Sequence, residues 1–452
     1  MIPDVALLRI FDFYLEEGWR WYTLVHVYRK WRCVVFGSPR RLNLQLRCIA
    51  RTPVRKTLDV WPLLPIAIRA FGYETWGLDN IIAALEHNNR ICDLDLFTIP
   101  MISSSQLKLV LAAMQKPFPA LTRLLLQANE EIAPVDPDLF LGGSAPRLQT
   151  LILSRIPLAF PGLPKLLLSA THLVHLRLQS IAQAGYISPE AMVTCLTVST
   201  QLERLDLLFD PLRHPDRENR HPHPPTRALL PALTEFQFKG AIEYLEDLVA
   251  RIDVPLLDNL DMILFRQPIF HTPQLTQFIS RTPKFKSHDE AEMIFSSWGV
   301  RIKTSQTTNG TVMLSIPCGQ PDLQLSSMAQ VCSSTFPRAL ITTVEHLYIL
   351  ENKLLLRPRW QDDMENSQWL ELFRPFSAVK GLYISEEFMP RIAPTLKELV
   401  GERVMEVLPA LLAFLLEETN LSGPVQEAIG EFIAARQLAG RRIVVSHWGE
   451  IR

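Results

Sequence analysis

Leu148-Gln149-Thr150-Leu151-Ile152-Leu153 sets a pattern of apolar-x-x-apolar-x-apolar, and the pattern returns at Leu173-Leu176-Leu178 and at Leu202-Leu205-Leu207. The same spacing precedes it at Leu63-Ile66-Ile68, Ile91-Leu94-Leu96 and Leu121-Leu124-Leu126. It follows at Leu233-Phe236-Phe238 and Leu257-Leu260-Met262. Successive starts lie 24 to 31 residues apart. Periods of this size mark a solenoid, in which each unit buries its apolar side chains only by stacking on the next. The first, fourth and sixth residues of each unit are therefore expected to point inward. Helical stretches lie between the strands: 78–86, 104–114, 164–170, 189–196 and 241–251, with Ser105-Gln106, Ser188-Pro189 and Gly240 as starts.

Leu-x-x-Leu-x-Leu is the strand signature of leucine-rich repeats. The uneven spacing makes this a degenerate array. The pattern fades after Met262, where 290–295, 300–305 and 311–316 alternate like strands and Asn309-Gly310 is a hairpin signal. It returns at Val344-Leu347-Ile349 and Val379-Leu382-Ile384. From Leu396 to Leu412 the apolar spacing reads as amphipathic helix. A second helix follows Gly423-Pro424, and a short strand ends at His447. The expected fold is α/β, in three parts. Residues 1–38 form a small helical module, 39–390 an irregular leucine-rich-repeat-like solenoid with a hairpin insertion near 290–316, and 391–452 a C-terminal helical cap that seals the last layer.

If the leucines point inward, the residues between them line the opposite face. On that face fall Asp93, Asp95, Arg123, His175, Arg177, Arg204, Asp206, Lys239, His346 and Tyr348. Arg123, His175, Arg177, Arg204, Lys239 and Tyr348 are the candidate residues for holding a protein target. The three arginines have the chemistry to pair with an acidic or phosphorylated peptide.

Composition narrows the function. The 452 residues are 48% hydrophobic and 21% charged with a net charge of −1, so no general affinity for nucleic acid or anionic membrane is expected. Six cysteines stand singly, which speaks against a zinc knuckle or a disulfide framework and fits a reducing compartment. The N-terminus lacks the apolar core of a signal peptide, because Asp4, Arg9, Asp12, Glu16 and Glu17 interrupt it. The longest apolar run, 407–416, contains Pro409 and is too short to span a bilayer. An intracellular location, in cytoplasm or nucleus, is expected. His214, His221 and His223 lie on a Pro-rich loop, 210–227, without an acid or thiol to complete a metal site. No phosphate-binding glycine loop, nucleophile elbow or zinc-protease motif is present, so neither an enzyme nor a bound cofactor is expected.

The N-terminal stretch remains. Apolar residues fall at helical spacing at 2, 7, 8, 10, 11, 14 and 15, and again at 24, 27, 28, 31, 34 and 35. Pro3 suits a first helical turn and Gly18 separates the two runs. This stretch resembles an F-box. Ile2-Pro3 matches the opening Leu-Pro pair of that family, and Leu7, Leu8, Ile10 and Phe11 match its first apolar helix. Leu24, Val27 and Arg29-Lys30-Trp31 match its Val-x-x-Val-Cys-basic-basic-Trp segment. Two positions depart, with Tyr28 for the usual Cys and Ile2 for Leu. Phe36-Gly37-Ser38-Pro39-Arg40 and the leucine-patterned body are similar to large fungal F-box protein families. The resemblance implies that Ile2, Pro3, Leu7, Leu8, Ile10, Phe11, Leu24, Val27 and Trp31 bind a Skp-type adaptor and through it a cullin scaffold. The body would then present an unknown protein substrate for ubiquitin transfer. An adaptor-binding scaffold without a degradation role is the alternative. Strand patterning begins at Arg40, so the chain supplies no helical bundle to cover the module's apolar face.

Overall fold

Strand alternation and helical spacing both materialise in the structure, a computed structural model. It describes residues 3–4, 6–7, 9–10, 28–37, 44–61, 63–69, 77–96, 104–127, 140–156, 162–181, 186–210, 227–265, 270–306, 310–352, 366–399, 401–417 and 423–448. The chain divides into two compact units, Met1–Leu212 and Arg213–Arg452.

The first unit opens with helix α1 (Arg29–Gly37) and continues with β1 (Leu44–Leu46), α2 (Val54–Val60), β2 (Ile66–Arg69), α3 (Leu78–Leu85), β3 (Ile91–Leu96) and α4 (Ser104–Ala113). Next come β4 (Arg123–Gln127), β5 (Thr150–Ser154), α5 (Gly162–Ser169), β6 (His175–Ile181), α6 (Pro189–Leu196) and β7 (Arg204–Phe209). The strands β1 to β7 pair in chain order, every pair parallel. Neighbouring helices pack on each other, as α2 does on α3, α3 on α4 and α5 on α6.

The reason is visible in the leucines. Leu121, Leu124, Leu126, Leu148, Leu151, Leu173, Leu176, Leu202, Leu205 and Leu207 are all at most 1% exposed. Each hides one side of its strand under the helices. Fully burying such a side chain is worth about 1.5–3 kcal/mol, which outweighs the low propensity of short parallel strands taken alone. The ladder begins just before each strand. Thr122 N–H donates to Cys92 O at 2.8 Å, Gln149 N–H to Thr122 O at 2.7 Å, Val174 N–H to Gln149 O at 2.8 Å and Glu203 N–H to Val174 O at 2.8 Å. Equivalent backbone positions thus hand the hydrogen bond from one repeat to the next. Ser188 caps α6 by accepting from Ala191 N–H at 3.2 Å, with Pro189 behind it, where the sequence places a helix start.

One inward position shifts. Leu63 is 87% exposed, and Leu64 is the buried residue of that repeat. Strand β2 starts at Ile66, and the period-two alternation carried back from Ile66 lands on Leu64. In this repeat only one of the two adjacent leucines enters the core.

The second unit contains β8 (Ala228–Leu229), β9 (Glu235–Gly240), α7 (Ile242–Val249), β10 (Ile252–Asp253), β11 (Asn259–Leu264) and α8 (Pro273–Arg281). It continues through β12 (Glu290–Ser296), β13 (Gly299–Ser305), β14 (Thr311–Pro317), α9 (Pro321–Gln330), α10 (Arg338–Ile341), β15 (His346–Glu351) and α11 (Asn366–Phe373). It closes with β16 (Gly381–Ile384), α12 (Met389–Lys397), β17 (Ala413–Leu416), α13 (Pro424–Leu438) and β18 (Val444–His447). Its strands run β9-β11-β14-β13-β12-β15-β16-β17-β18. The three strands expected near 290–316 are present as an antiparallel meander, β12 with β13 and β13 with β14. The meander is inserted in reverse, so β14 lies parallel to β11 and β12 lies parallel to β15. A parallel sheet thereby accepts one reversed strand, β13, without a mismatch at either flank. Residues 307–309 lie outside the described set, but Gly310 shows why the join demands glycine: a Cβ there would collide with the Asp258 carbonyl oxygen.

Repeats in this unit also brace each other through side chains. Glu246 on α7 accepts from Gln274 N–H at 3.0 Å and Leu275 N–H at 2.7 Å, capping α8 of the following repeat. Burial raises the Glu246 carboxyl above its usual range, and those two N–H donors work against the rise.

The C-terminal stretch departs from the expected all-helical course through Leu412. Helix α12 ends at Lys397, and Leu411, Phe414 and Leu416 are each at most 1% exposed. Leu411-x-x-Phe414-x-Leu416 is another copy of the repeat, and β17 and β18 extend the sheet in parallel. Apolar residues at 407, 408, 411 and 412 fit either helix or repeat strand. Pro409 weighs against a helix, since it removes a helical hydrogen bond, and pairing with the neighbouring strand decides the matter. The backbone turns there, with Leu408 at a positive φ of 46° and its carbonyl held by the buried Arg436.

Candidate functional site

The face of each sheet opposite the leucines carries the polar and aromatic side chains, and the two units fill it differently. In the first unit, strand register sets Asp93, Arg123, Thr150, His175 and Arg204 in one row across β3 to β7. Asp95, Leu125, Ile152, Arg177 and Asp206 form the next row. Arg123 bridges two aspartates, with Nη1 3.3 Å from Asp93 Oδ1 and Nη2 3.3 Å from Asp95 Oδ2. At the other end Asp206 Oδ2 receives His175 Nε2 at 3.5 Å and Arg177 Nη1 at 3.8 Å, while Arg177 Nε donates to Gln179 Oε1 at 3.1 Å. Asp93 and Asp206 are each 5% exposed. A buried carboxylate needs its cation close by, because losing the partner leaves a charge without water. Arg123 and Arg177 are therefore engaged within the protein. Arg204, last in its row on β7, is exposed.

In the second unit the open face holds Gln237, Asp261, Met313, Lys303, Glu292, Tyr348 and Tyr383 in one row from β9 to β16. Gln237 Nε2 donates to Asp261 Oδ2 at 2.9 Å. Lys239 lies in the next row on β9. Tyr348 and Tyr383 stack with ring centres 4.1 Å apart and planes 18° from parallel. Trp448, just past β18, stands edge-on to both, 6.4 Å from Tyr348 and 5.9 Å from Tyr383. His346 lies 6.0 Å from Tyr383. Tyr348 was legible as a candidate in the sequence; Tyr383 and Trp448 were missed. The signal for Tyr383 was present, since it fills the variable position between Leu382 and Ile384. Of the six sequence candidates, Arg123, His175, Arg177 and Arg204 belong to the first unit, Lys239 and Tyr348 to the second.

At the N-terminus, Ala6 and Leu7 N–H donate to Pro3 O at 3.1 and 3.0 Å, a helical turn behind Pro3 as expected. Leu7 is buried, whereas Ile10 is 52% exposed and Tyr28 is 63% exposed. Trp31 is half-buried on α1. Lys30 Nζ pairs with Asp4 Oδ1 at 3.0 Å, tying this turn to α1. Ile2, Leu8, Phe11, Leu24 and Val27 lie outside the described residues, as do His214, His221 and His223. Among the described residues no group of three His, Cys, Asp or Glu is placed to hold a metal, and no helix is long and apolar enough to cross a membrane.

The body is leucine-rich-repeat-like. Its parallel strands, repeated inward leucines and strand-helix alternation carry that statement. A solved structure with some similarity is the leucine-rich repeat-containing protein LegL7 from Legionella pneumophila, at 13% identity over 89% of this chain and 99% of that one, with a TM-score of 0.30. No family model matches the chain, and no curated protein matches it.

Proposed function

We propose that this chain is a substrate receptor of a cullin-type ubiquitin ligase. The N-terminal segment docks a Skp-type adaptor in the manner of an F-box, and the open face of the repeats holds a protein target. The chain itself carries out no bond chemistry; it brings a target to a ligase.

The observation that carries this reading is the exposure of Ile10 beside the buried Leu7. Both match apolar positions of the F-box pattern, yet only one is taken up by the protein's own packing. A half-exposed isoleucine and an exposed Tyr28 are each apolar surface of the kind a partner covers. The basic-basic-Trp run on α1 and the turn behind Pro3 fit the same pattern.

Co-expression with a Skp-type adaptor and affinity capture tests it. The intact protein is expected to retain the adaptor. Ile10→Ala with Trp31→Ala is expected to release it, and Ile10→Asp alone is expected to do the same without disturbing the core. An intact protein that retains no adaptor overturns the proposal. Adaptor without cullin in the captured complex favours the scaffold alternative, in which no substrate is delivered for degradation.

A further inference from the structure

We propose that the aromatic corner of the second unit, Tyr348, Tyr383 and Trp448 beside Glu292, binds an arginine side chain of a partner peptide. This names the chemistry of the target under the receptor reading above. The binding itself does not depend on adaptor docking.

Three features converge. First, the rings form a corner rather than a flat patch. Tyr348 and Tyr383 come from register-paired positions on β15 and β16, whereas Trp448 follows β18. Strands are spaced about 4.8 Å apart, so the rings of Tyr383 and Trp448 must lean toward each other over β17 to reach 5.9 Å. Gly381 makes this possible on the other side. A Cβ at that position would stand 2.9 Å from His346 Nδ1 and 3.2 Å from Tyr383 Cε2, and would displace both rings.

Second, polar atoms of this cluster have no partner. Trp448 Nε1 and His346 Nδ1 are buried atoms without a hydrogen bond. Indole N–H groups in packed surroundings ordinarily find an acceptor. The indole must turn outward on binding for a peptide backbone carbonyl laid over the corner to supply one.

Third, the charge beside the rings is negative. Glu290 is paired in register with His346, and Glu292 with Tyr348. Glu292 makes no ion pair or hydrogen bond with any described residue, although Lys303 is its register partner on β13. Lys303 and Arg301 lie on the side of β12 away from the rings. The first unit pairs its open-face carboxylates with its own arginines; here a carboxylate next to aromatic faces makes no ion pair with any described residue. Ring faces attract cations through their quadrupole, and a planar guanidinium both stacks on a ring and pairs bidentately with a carboxylate. Arginine meets both demands at once, and an ammonium meets only part of them.

The test uses the full-length protein labelled at its tryptophan indoles and a short neutral peptide carrying one arginine. A second peptide replaces that arginine by citrulline, which keeps the shape and removes the charge. The Trp448 indole resonance is identified by its loss in Trp448→Phe. The arginine peptide is expected to shift that resonance and to bind about tenfold more tightly than the citrulline peptide, a ratio in the range of one cation–π contact with a charged hydrogen bond. Glu292→Gln is expected to remove most of that preference, and Tyr383→Leu most of the binding. Equal response to the two peptides, no shift at Trp448, or a preference that survives Glu292→Gln overturns the proposal. The peptide comparison needs no variant, so a folding defect in Tyr383→Leu does not protect the idea. A negative result here with adaptor capture intact removes the arginine site and leaves the receptor reading standing. The converse pair of results does the opposite.

Discussion

The two units share a strand geometry and differ in what they do with the face it leaves open. In the first, Arg123 bridges Asp93 and Asp95, Arg177 and His175 reach Asp206, and each buried aspartate has its partner within the same sheet. In the second, the corresponding rows carry Tyr348, Tyr383 and Glu292, which makes no ion pair with a described residue, and Trp448 closes the end. The inward leucines are the same in kind, so the scaffold does not dictate the difference. The variable positions between the leucines do. One face pairs its buried aspartates internally; the other offers stacking surface and a carboxylate without an ion pair among the described residues.

The largest effects test whether the scaffold is indeed common to both. Leu151→Ala in the first unit and Leu411→Ala in the second each remove a side chain with no exposure. Each is expected to cost about 2–5 kcal/mol in chemical denaturation. A loss below about 1 kcal/mol for Leu411→Ala would remove 411–416 from the repeat array and return that stretch to the helical cap read from its apolar spacing.

Next comes the contrast between the faces. Arg123→Leu strips two aspartates of their cation. It is expected to destabilise by about 1–3 kcal/mol, less than a fully buried pair because the arginine side chain is 36% exposed. Glu292→Gln is expected to stay within about 0.5 kcal/mol, since that carboxylate makes no ion pair or hydrogen bond with a described residue. Equal costs for the two would erase the distinction.

Thiol accessibility gives a finer check. Cys33 is exposed and the other five cysteines are buried. Burial pushes the Cys48 thiol up to about 12 and the Cys195 thiol up to about 11, and raises Cys332 further. One fast-reacting thiol is expected in the native protein and six after unfolding, counted with a chromogenic disulfide reagent at pH 8.

The smallest effect concerns pH. His288, 1% exposed and hydrogen-bonded through Nδ1 to Thr304 Oγ1 at 2.9 Å, has its pKa lowered by burial. The unfolded chain therefore binds this proton more readily than the folded one. Stability attributable to His288 is full above about pH 6.5 and falls as pH drops from there through the lower folded value. His288→Gln is expected to flatten that slope in denaturation curves taken between pH 7 and pH 5.

Much of the fold was legible. The inward set could be read because stacking repeats demand an apolar residue at the same three positions each time. The five helices and the three meander strands followed from spacing alone. Leu63 and the 407–412 stretch were not legible for a shared reason: adjacent apolar residues satisfy two registers, and only the neighbouring strand decides between them. The open face was legible residue by residue, since Arg123, His175 and Tyr348 all stand where alternation places them. Which of its charges are already paired was not, because Arg123 meets Asp93 and Asp95 across a repeat boundary of about thirty residues. The convergence of Trp448 on Tyr383 was hidden for the same reason, since it depends on strand order and lean and not on spacing along the chain.

The receptor reading rests on the N-terminal segment, and Ile10 tests it most directly. The full-length chain and its Ile10→Asp variant, each co-expressed with a Skp-type adaptor and captured under identical conditions, should differ: adaptor bound to the first, at least about tenfold less bound to the second, with both giving the same unfolding curve, as a surface position requires. Adaptor absent from both, or bound equally to both, would contradict the account.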